Sequence, residues 1–209
     1  MATAWQGSLL GAADLPLLGE VVVGLARTEL TPAAWVDHRP GWLGGADLLF
    51  EALHREAPWR DERRQMYDRV VDVPRLTCFY GSGEALPHPV LEEAMAMLSE
   101  HYAAELGEPF VSAGLCLYRD GTDSVAWHGD RIGRGRDVDT MVAILSVGSP
   151  RSLLLRPREG GGSMRFSLGD GDLLVMGGSC QRTWDHCVPK TAKPVGPRIS
   201  IQFRPRGVR

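Results

Sequence analysis

The sequence predicts a mainly β fold with flanking helices, in which the strands form a jelly roll. From residue 110 onward, short apolar stretches alternate with turns rich in Gly, Pro and Asp. Such a series is typical of a β-sandwich or barrel. The chain has 209 residues, of which 44% are hydrophobic, so its length suffices for one substantial core. We therefore expect a single domain over 1–209, with an N-terminal extension over 1–109 and a jelly-roll core over 110–206.

The N-terminal extension contains predicted elements of both kinds. Residues 20–30 begin with β-branched side chains and end before a Thr-Pro step, which predicts a strand that leads into a loop. Asp47 can cap a short helix that ends before Pro58. A longer helix is predicted over 89–106, because apolar residues recur there at helical spacing and Gly107 can terminate it.

The segment between these two helices is both basic and aromatic. Its interleaved side chains are compatible with a nucleic-acid-binding lid and equally with a solvated helix face. The residues concerned are Trp59, Arg60, Arg63, Arg64, Met66, Tyr67 and Arg69.

Eight strands are predicted in the C-terminal half, each bounded by turn residues. They cover residues 111–118, 124–128, 141–147, 152–156, 163–168, 172–176, 185–188 and 198–204.

Three of the residues in these strands and turns suggest a metal site. Residues i and i+2 of a strand point to the same face, so His128 and Asp130 can offer an imidazole and a carboxylate to one ion. His186 can supply the third ligand. Two histidines and one carboxylate leave three open positions, which is the ligand set of Fe(II) sites that bind a co-substrate and O2.

The last predicted strand suggests what the co-substrate is. Polar and apolar residues alternate there, so Arg198, Ser200, Gln202 and Arg204 share one face. Arginine binds a carboxylate through two parallel hydrogen bonds. We therefore expect this face to form the floor of a pocket for an acid that chelates the metal at its other end.

Each of these residues could also have a purely structural role or lie on the surface. A His-x-Asp pair by itself is more often a surface turn than a metal site. His186 could be a hydrogen-bonded core histidine, and Arg198 and Arg204 could belong to a basic C-terminal tail. The metal site is favoured because His186 and Arg198 follow the His128/Asp130 pair in the chain, and because polar and apolar residues alternate in the last strand.

Taken together, the motifs resemble the AlkB family of Fe(II)- and 2-oxoglutarate-dependent nucleic-acid dealkylases. The likeness covers roughly residues 74 to 204. It begins with Pro-Arg-Leu-Thr-Cys-Phe-Tyr-Gly at 74–81 and continues with Tyr-Arg-Asp-Gly at 118–121 and the His128/Asp130 pair. It then includes Thr-Trp-Asp-His-Cys-Val-Pro at 183–189 and ends with the final strand and its two arginines.

The resemblance implies a double-stranded β-helix and a specific chemistry. Fe(II), 2-oxoglutarate and O2 would be used to oxidise alkyl groups on bases such as 1-methyladenine and 3-methylcytosine in DNA or RNA, with etheno adducts as a further candidate. The products would be an aldehyde, succinate and CO2. Tyr118 and Arg198 would hold 2-oxoglutarate, aided by Ser200, Gln202 and Arg204. No catalytic residue beyond the metal ligands is predicted.

Contacts with the substrate are predicted at three residues. Tyr80 lies in the segment that resembles the family's nucleotide-recognition region, and Trp184 lies two residues before the distal ligand. For both residues a packing role is equally consistent. Arg131 follows Asp130 where many dealkylases have an acidic residue, so we expect it to contact a phosphate. Cys116 also departs from the family pattern, in which an Asn contacts 2-oxoglutarate.

Composition sets the remaining expectations. The net charge is −3, but the segment 182–209 contains seven basic residues and one acidic residue, so the surface should be two-sided in charge. The four cysteines lack Cys-x-x-Cys spacing and are expected to be reduced thiols. Because no apolar run or signal-like N-terminus is evident, we expect a cytoplasmic location without membrane attachment. A monomer is expected as the default for a repair enzyme of this size.

Two other functions remain open at the level of sequence. The same iron site could serve a 2-oxoglutarate oxygenase that hydroxylates or demethylates a protein or a small molecule. Alternatively, the chain could be a non-catalytic jelly-roll binding module whose metal residues are structural.

Overall fold

The computed structural model describes residues 15–31, 33–66, 69–131 and 133–208, and only the backbone is described at 62–66, 69–72 and 134. None of the helices in these ranges combines the length and the apolar character that a membrane crossing requires. The four cysteines, all of which are described, are free thiols, as predicted.

Within the described ranges the chain forms short strands and four α-helices. The helices are α1 (Ala46–Glu56), α2 (Pro89–His101), α3 (Ala103–Leu106) and α4 (Cys180–Thr183). The strands of the N-terminal half are β1 (Leu17–Leu18), β2 (Ala26–Thr31), β3 (Ala34–Arg39), β4 (Leu43–Gly44), β5 (Arg60–Met66) and β6 (Arg69–Tyr80). Those of the C-terminal half are β7 (Phe110–Tyr118), β8 (Val125–His128), β9 (Val142–Gly148), β10 (Arg151–Pro157), β11 (Met164–Leu168), β12 (Asp172–Gly178), β13 (Trp184–Val188) and β14 (Arg198–Pro205).

Two antiparallel sheets form the jelly roll. The main sheet has eight strands in the order β2-β3-β12-β9-β14-β7-β6-β5, and the minor sheet has four in the order β11-β10-β13-β8. A small additional pair is formed by β1 and β4. The prediction of a mainly β jelly-roll fold is confirmed.

The main sheet is apolar on both faces, but the two faces pack against different partners. On its outer face, Ile199, Ile201 and Phe203 of β14 join a core that includes Leu49 of α1 and Leu98 of α2. On its inner face, residues of β9 and β12 pack with residues of the minor sheet in a second core. The helices therefore support the main sheet from outside, and the space between the sheets remains available for a site.

The helices start and end for identifiable reasons. Gly45 precedes α1 with a positive φ of 63°, so Asp47 lies in the first turn and is not the cap as predicted. The Nδ1 atom of His88 accepts a hydrogen bond from the Val90 backbone at the start of α2. The predicted single helix over 89–106 is wrong at Tyr102, where the backbone leaves helical geometry between α2 and α3.

The interruption at Tyr102 has a physical cause. The ring of Tyr102 is 1% exposed, and its hydroxyl donates a hydrogen bond of 2.9 Å to the buried carboxylate of Asp37. Arg27 also donates to Asp37. Asp37 is thus fully paired, and we infer that this buried network outweighs the helical propensity of one turn.

All eight strands predicted in the C-terminal half are confirmed, with ends that differ by one or two residues. The predicted strand over 20–30 begins only at Ala26, because the chain makes a turn around Gly24, whose φ is 79°. Strands β3, β5 and β6 were not predicted. Of the two alternatives for the basic segment, the helix is wrong, because Arg60–Met66 forms β5; Tyr67 lies outside the described residues.

Strand β6 escapes sequence analysis because it contains Pro74. Proline cannot donate to a strand ladder and is found at edges or irregularities. The pairing of β5 with β6 is indeed irregular here, since Asp61 pairs with Leu76 and Arg63 with Asp72. Because β2, β3, β5 and β6 all belong to the main sheet, we propose that the regions before and after residue 110 form one domain.

Candidate active site

The three predicted metal ligands lie together at one end of the space between the sheets. His128 is the last residue of β8, and it pairs with His186 of β13 across the minor sheet. Asp130 follows two residues after His128. One ligand atom from each residue lies within 4.8 Å of the others, which is compatible with a single ion.

The imidazole of His128 is oriented by the backbone. Its Nδ1 atom lies 2.8 Å from the carbonyl oxygen of Ala126, and a carbonyl can only accept, so Nδ1 carries the proton. In the neutral imidazole this tautomer leaves the lone pair on Nε2, which lies 3.7 Å from Oδ1 of Asp130. This arrangement presents a lone pair toward the shared position, as a metal ligand requires.

Asp130 is fixed by two further residues. Its Oδ2 accepts a hydrogen bond of 2.7 Å from Nε of Arg204, and its backbone N–H donates to the side-chain oxygen of Gln181 at 2.9 Å. Burial alone would raise the pKa of Asp130, but the charge of Arg204 and the two nearby imidazoles lower it to about 2. The carboxylate is therefore ionised at neutral pH, with Oδ1 directed at His128.

His186 is prepared for metal binding by its surroundings. The residue is 8% exposed, and burial, followed by the effect of His128, lowers its pKa to about 3. The imidazole is therefore neutral at physiological pH, which is the form that binds a metal.

Gly129 allows the turn between the two adjacent ligands. A Cβ atom on this residue would lie 2.6 Å from the backbone oxygen of Gln181, so no other residue fits without a shift of the backbone. The N–H of Arg131 donates to the carbonyl of Gly129 at 2.8 Å, which closes a tight turn.

The predicted co-substrate residues line one cavity with the metal triad. Strand β14 pairs with β7, and this register places Arg198 opposite Tyr118 and Ser200 opposite Cys116. The cavity is lined by the triad and by Tyr118, Cys116, Arg198, Ser200, Gln202 and Arg204, together with Arg75 and apolar side chains.

Arg198 has the features expected of a binding site for an anion. Its side chain is 1% exposed, and its Nε donates to the hydroxyl of Ser146 at 2.8 Å. Its Nη1 has no hydrogen-bond partner among the described residues. Burial lowers the pKa of Arg198, yet a guanidinium remains charged in proteins. An unpaired buried charge is costly, so a carboxylate ligand would fit this position.

Tyr118, Ser200, Gln202 and Cys116 line the cavity next to Arg198. Burial raises the pKa of the Tyr118 phenol, so its hydroxyl keeps its proton and can donate to a carboxylate. The amide of Gln202 donates to the hydroxyl of Ser200 at 2.6 Å, and the thiol of Cys116 lies 3.8 Å from the oxygen of Gln202. These three polar side chains are thus joined to one another.

The structure does not bring Tyr80 to the cavity. Tyr80 pairs with Ala113 and packs on the outer core, so it lies on the opposite face of the sheet from the triad. Its neighbour Phe79 pairs with Gly114, which pairs with the cavity residue Gln202. Phe79 is 49% exposed, and a Cβ on Gly114 would lie 3.8 Å from its ring and 3.3 Å from the oxygen of Gln202, so Phe79 lies on the inner face near the cavity.

The other two predicted substrate contacts also lie outside the cavity wall. Trp184 is 5% exposed and packs in the inner core, which matches the packing alternative for this residue. Arg131 lines a second, more open cleft that is adjacent to the metal ligands and shares its wall with Gly129.

Sequence reasoning missed three residues that shape the site. Ser146 and Gln181 orient Arg198 and Asp130, respectively, and Arg75 lines the cavity while its Nη1 donates to the carbonyl of Ser124 at 3.2 Å. Ser146 follows the alternation of β9 and could have been found from it. No sequence pattern identifies Gln181, because its role depends on the placement of α4.

The fold and this site define a 2-oxoglutarate- and Fe(II)-dependent oxygenase. A family model described as "2OG-Fe(II) oxygenase superfamily" matches residues 45–204. The bovine (Bos taurus) "Alpha-ketoglutarate-dependent dioxygenase alkB homolog 3" is 33% identical over 208 residues, covering 88% of this chain and 69% of the relative. The chain therefore belongs to the AlkB family within this superfamily.

Another relative agrees with this assignment, and two solved structures share the fold. The Arabidopsis thaliana "DNA oxidative demethylase ALKBH2" is 29% identical over 194 residues, and the match covers 75% of this chain and 60% of the relative. The structure of OsALKBH1 superposes with a TM-score of 0.57 at 14% identity, over 86% of this chain and 99% of that one. A prolyl hydroxylase from Trichoplax adhaerens gives 0.59 at 13% identity, over 81% and 83%. At these low identities the two structures support the fold alone.

Proposed function

We propose that this dioxygenase removes alkyl groups from the ring nitrogens of nucleic-acid bases by oxidation. The observation that carries the proposal is the joint presence, in one cavity of an AlkB-family chain, of the His128–Asp130–His186 triad and the buried, uncompensated Arg198. Relatives named as DNA oxidative demethylases support nucleic acid as the substrate. The damaged base must leave its stack to reach such a cavity.

The triad and the floor would hold the two groups that supply the chemistry. His128, Asp130 and His186 would bind Fe(II) on one side, and Arg198 with Tyr118 would bind the distal carboxylate of 2-oxoglutarate. When bound, these groups supply an oxidant derived from O2 that hydroxylates the alkyl carbon, with release of succinate and CO2. The hydroxylated product then breaks down to an aldehyde and the unmodified base, which stays attached to its sugar.

The protein's own residues position the reactants and exclude water. Arg204 and Gln181 fix the carboxylate of Asp130, and the carbonyl of Ala126 fixes the ring of His128. The apolar side chains Val142, Ile144 and Leu153 line the cavity and limit its hydration. Ser200 and Gln202 lie between Arg198 and the triad and would contact 2-oxoglutarate along its length.

The test is anaerobic reconstitution with Fe(II) and 2-oxoglutarate, followed by exposure to air with a single-stranded oligonucleotide that contains 1-methyladenine. Mass spectrometry should show loss of the methyl group only when both iron and 2-oxoglutarate are present. His128→Ala and Asp130→Ala should abolish both repair and succinate formation, whereas Arg55→Gln, an exposed change on α1, should alter neither.

The outcomes separate the alternatives. If succinate forms without repair of any methylated base tested, the oxygenase site is real and its substrate is a protein or a small molecule. If Asp130→Ala retains turnover, the metal assignment fails. A cytoplasmic location and a monomeric state remain predictions, and the second can be measured by light scattering of the purified protein.

A further inference from the structure

We infer that the thiol of Cys116 is a site of oxidation by hydrogen peroxide, and that its sulfinate form pairs with Arg198 in place of the distal carboxylate of 2-oxoglutarate. The inference rests on the proposed role of Arg198 in binding the co-substrate. It adds a modification that closes the co-substrate pocket, and it does not depend on which alkylated substrate the enzyme uses.

The thiol of Cys116 is open to a small oxidant. Cys116 is only partly buried, and it lines the cavity that contains the metal triad. Its Sγ lies 3.8 Å from the side-chain oxygen of Gln202. A thiol is a weak donor, so this contact leaves the lone pairs of the sulfur available for reaction. A peroxide molecule that enters the cavity therefore meets this sulfur.

The other three thiols are shielded from the same reaction. Cys78 packs in the outer core, and burial raises the pKa of its thiol to about 11. Cys180 packs in the inner core, and burial raises the pKa of its thiol to about 12. Burial also raises the pKa of Cys187. Because peroxide reacts with the thiolate form, these three cysteines should stay reduced while Cys116 is oxidised.

Arg198 is a second, independent feature that favours an anion at this position. The register places Arg198 opposite Tyr118 and Ser200 opposite Cys116, so Arg198 and Cys116 are diagonal neighbours on one face. Such neighbours lie about 7–8 Å apart, which a long side chain can span. The guanidinium is 1% exposed, and its Nη1 has no hydrogen-bond partner among the described residues. A negative charge on Cys116 would supply this partner.

Two molecules of hydrogen peroxide convert the thiol to a sulfinic acid. In the first step the sulfur attacks one oxygen of the peroxide, the O–O bond breaks as the S–O bond forms, and the other oxygen leaves as water with the thiol proton. In the second step the sulfenic acid receives another oxygen in the same way, and the second peroxide is also reduced to water. The sulfinic acid releases its proton to solvent. The sulfinate then presents two oxygens on one atom, as a carboxylate does.

The arrangement of the cysteines allows this oxidation to proceed to the sulfinate. All four cysteines are described, and Cys116 alone among them lines the cavity. Cys78, on the neighbouring strand, faces the outer core. A disulfide therefore cannot intercept the sulfenic acid. Because thiols do not reduce a sulfinate, the pairing with Arg198 through parallel hydrogen bonds is lasting, and 2-oxoglutarate loses its partner.

Peptide mass spectrometry tests the modification itself. The protein is loaded with Zn(II) in place of Fe(II), because Zn(II) has no redox chemistry that would form radicals from peroxide. After treatment with hydrogen peroxide, the peptide that contains Cys116 should gain two oxygen atoms, while the other three cysteines remain reduced. Addition of 2-oxoglutarate at about ten times its Kd should slow the reaction about tenfold, since only the unoccupied pocket reacts. Equal oxidation of all four cysteines, or no protection by 2-oxoglutarate, would overturn the inference.

Thermal unfolding tests the pairing with Arg198. Without 2-oxoglutarate, the oxidised Zn(II) protein should melt about 2–4 °C higher than the reduced protein, because the buried guanidinium gains a counter-charge. Addition of 2-oxoglutarate should then raise the melting temperature no further. Cys116→Asp places a carboxylate at the same position and should reproduce both effects without peroxide. If oxidised protein keeps the melting temperature of reduced protein and its full response to 2-oxoglutarate, the pairing is wrong.

Succinate formation connects the modification with activity, which is expressed for each protein relative to its own untreated sample. After peroxide is removed and Fe(II) replaces Zn(II), the wild-type protein should lose turnover at least about tenfold at a fixed concentration of 2-oxoglutarate. Cys116→Ser cannot form a sulfinate and should keep its turnover. Cys78→Ser is the matched control on the opposite face of the main sheet, and it should be as sensitive as the wild type. Equal losses in the wild type and Cys116→Ser would contradict the inference.

These measurements keep the inference separate from the proposed function, because peptide analysis and thermal unfolding need no alkylated substrate. If no methylated base is repaired but Cys116 is oxidised and the response to 2-oxoglutarate is lost, the modification stands and the dealkylation proposal fails. If repair occurs and peroxide leaves Cys116 reduced, the dealkylation proposal stands and the modification is wrong.

Discussion

The two faces of strand β14 are built for different purposes. On the outer face, Ile199, Ile201 and Phe203 are completely buried against the helix-supported core. On the inner face, Arg198 and Ser200 are equally inaccessible, yet Arg198 keeps a nitrogen without a partner. Burial on the outer face is satisfied by the protein alone. Burial on the inner face leaves hydrogen-bonding capacity that a ligand must complete, and this difference distinguishes a site from a core.

Arg151 and Arg198, which both lie beside Tyr118, show the same contrast between a side chain paired within the protein and one that is available for a ligand. Both guanidinium groups lie 5.5 Å from the centre of the Tyr118 ring. Arg151 donates to the backbone oxygens of Asp120, Asp123 and Pro189, each at 2.8 Å. Arg198 makes one side-chain hydrogen bond, to Ser146. Arg151 therefore holds loops together, whereas Arg198 is available for a ligand.

The largest expected effect is that of Arg198→Gln on activity. Removal of one partner of a buried charge pair costs several kcal/mol, so we expect turnover that depends on 2-oxoglutarate to fall about 10³-fold, or ~4 kcal/mol. The melting temperature without 2-oxoglutarate should not fall, because an uncompensated buried charge has been removed. Succinate release and thermal unfolding with and without 2-oxoglutarate measure the two effects.

Arg151→Gln is the matched control for this prediction. It removes the donors of three buried or partly buried carbonyls, so it should lower the free energy of unfolding by about 3 kcal/mol. If Arg198→Gln destabilises the protein as strongly as Arg151→Gln, then Arg198 is structural and the contrast between the two arginines is wrong.

Ile201→Ala should lower the stability of the protein without affecting the binding of 2-oxoglutarate, because Ile201 lies on the outer face of β14. Ile201 is completely buried on the outer face, and truncation of such a side chain lowers the free energy of unfolding by about 3 kcal/mol. The KM for 2-oxoglutarate should remain unchanged, since the backbone of β14 is held by β7 and β9 on either side. Urea denaturation and initial rates provide the measurements, and a change in KM without loss of stability would contradict the assignment of faces.

The alternation of β14 could be predicted because it is local. A period of two assigns Arg198, Ser200, Gln202 and Arg204 to one face whatever the rest of the chain does, and the structure has them on one cavity wall. The contrast between Tyr80 and Phe79 could not be predicted in the same way. The register of β6 with β7 determines which of these two adjacent residues faces inward. Strand β6 was not predicted from the sequence, because it contains Pro74.

Residues that act through tertiary contacts were equally inaccessible to sequence analysis. Gln181 reaches the backbone of Asp130 only because α4 lies between β12 and β13. The break at Tyr102 follows from its bond to Asp37, which is 65 residues away in the chain. Local periodicity therefore identified the strands of the C-terminal half and placed His128 and Asp130 on one face, whereas long-range packing determined how the ligands are held.

Phe79→Ala should have an intermediate effect that is restricted to nucleic-acid substrates. Stacking of a base on an aromatic side chain contributes about 1–3 kcal/mol, so we expect kcat/KM for a methylated oligonucleotide to fall about tenfold. Thermal stability should change little, because Phe79 is half exposed. Phe79→Trp should keep kcat/KM near the wild-type value, because it retains an aromatic ring. Tyr80→Phe, on the opposite face, should change kcat/KM less than about twofold. Equal rates for Phe79→Ala and Tyr80→Phe would show that the mouth of the cavity lies elsewhere.

The smallest expected effect concerns Gly114, which gives Arg204 the room that it needs. A Cβ at this position would lie 2.8 Å from Nη1 of Arg204 and 3.3 Å from the oxygen of Gln202. The end of a flexible side chain can move away, so Gly114→Ala should fold normally and displace the guanidinium from Asp130. We expect about threefold weaker binding of Fe(II), or ~0.7 kcal/mol, measured by anaerobic titration. Gly162→Ala is the control, since a Cβ there would meet nothing within 4 Å. Identical titrations of the two variants would show that the position of Arg204 does not control the orientation of Asp130 as a metal ligand.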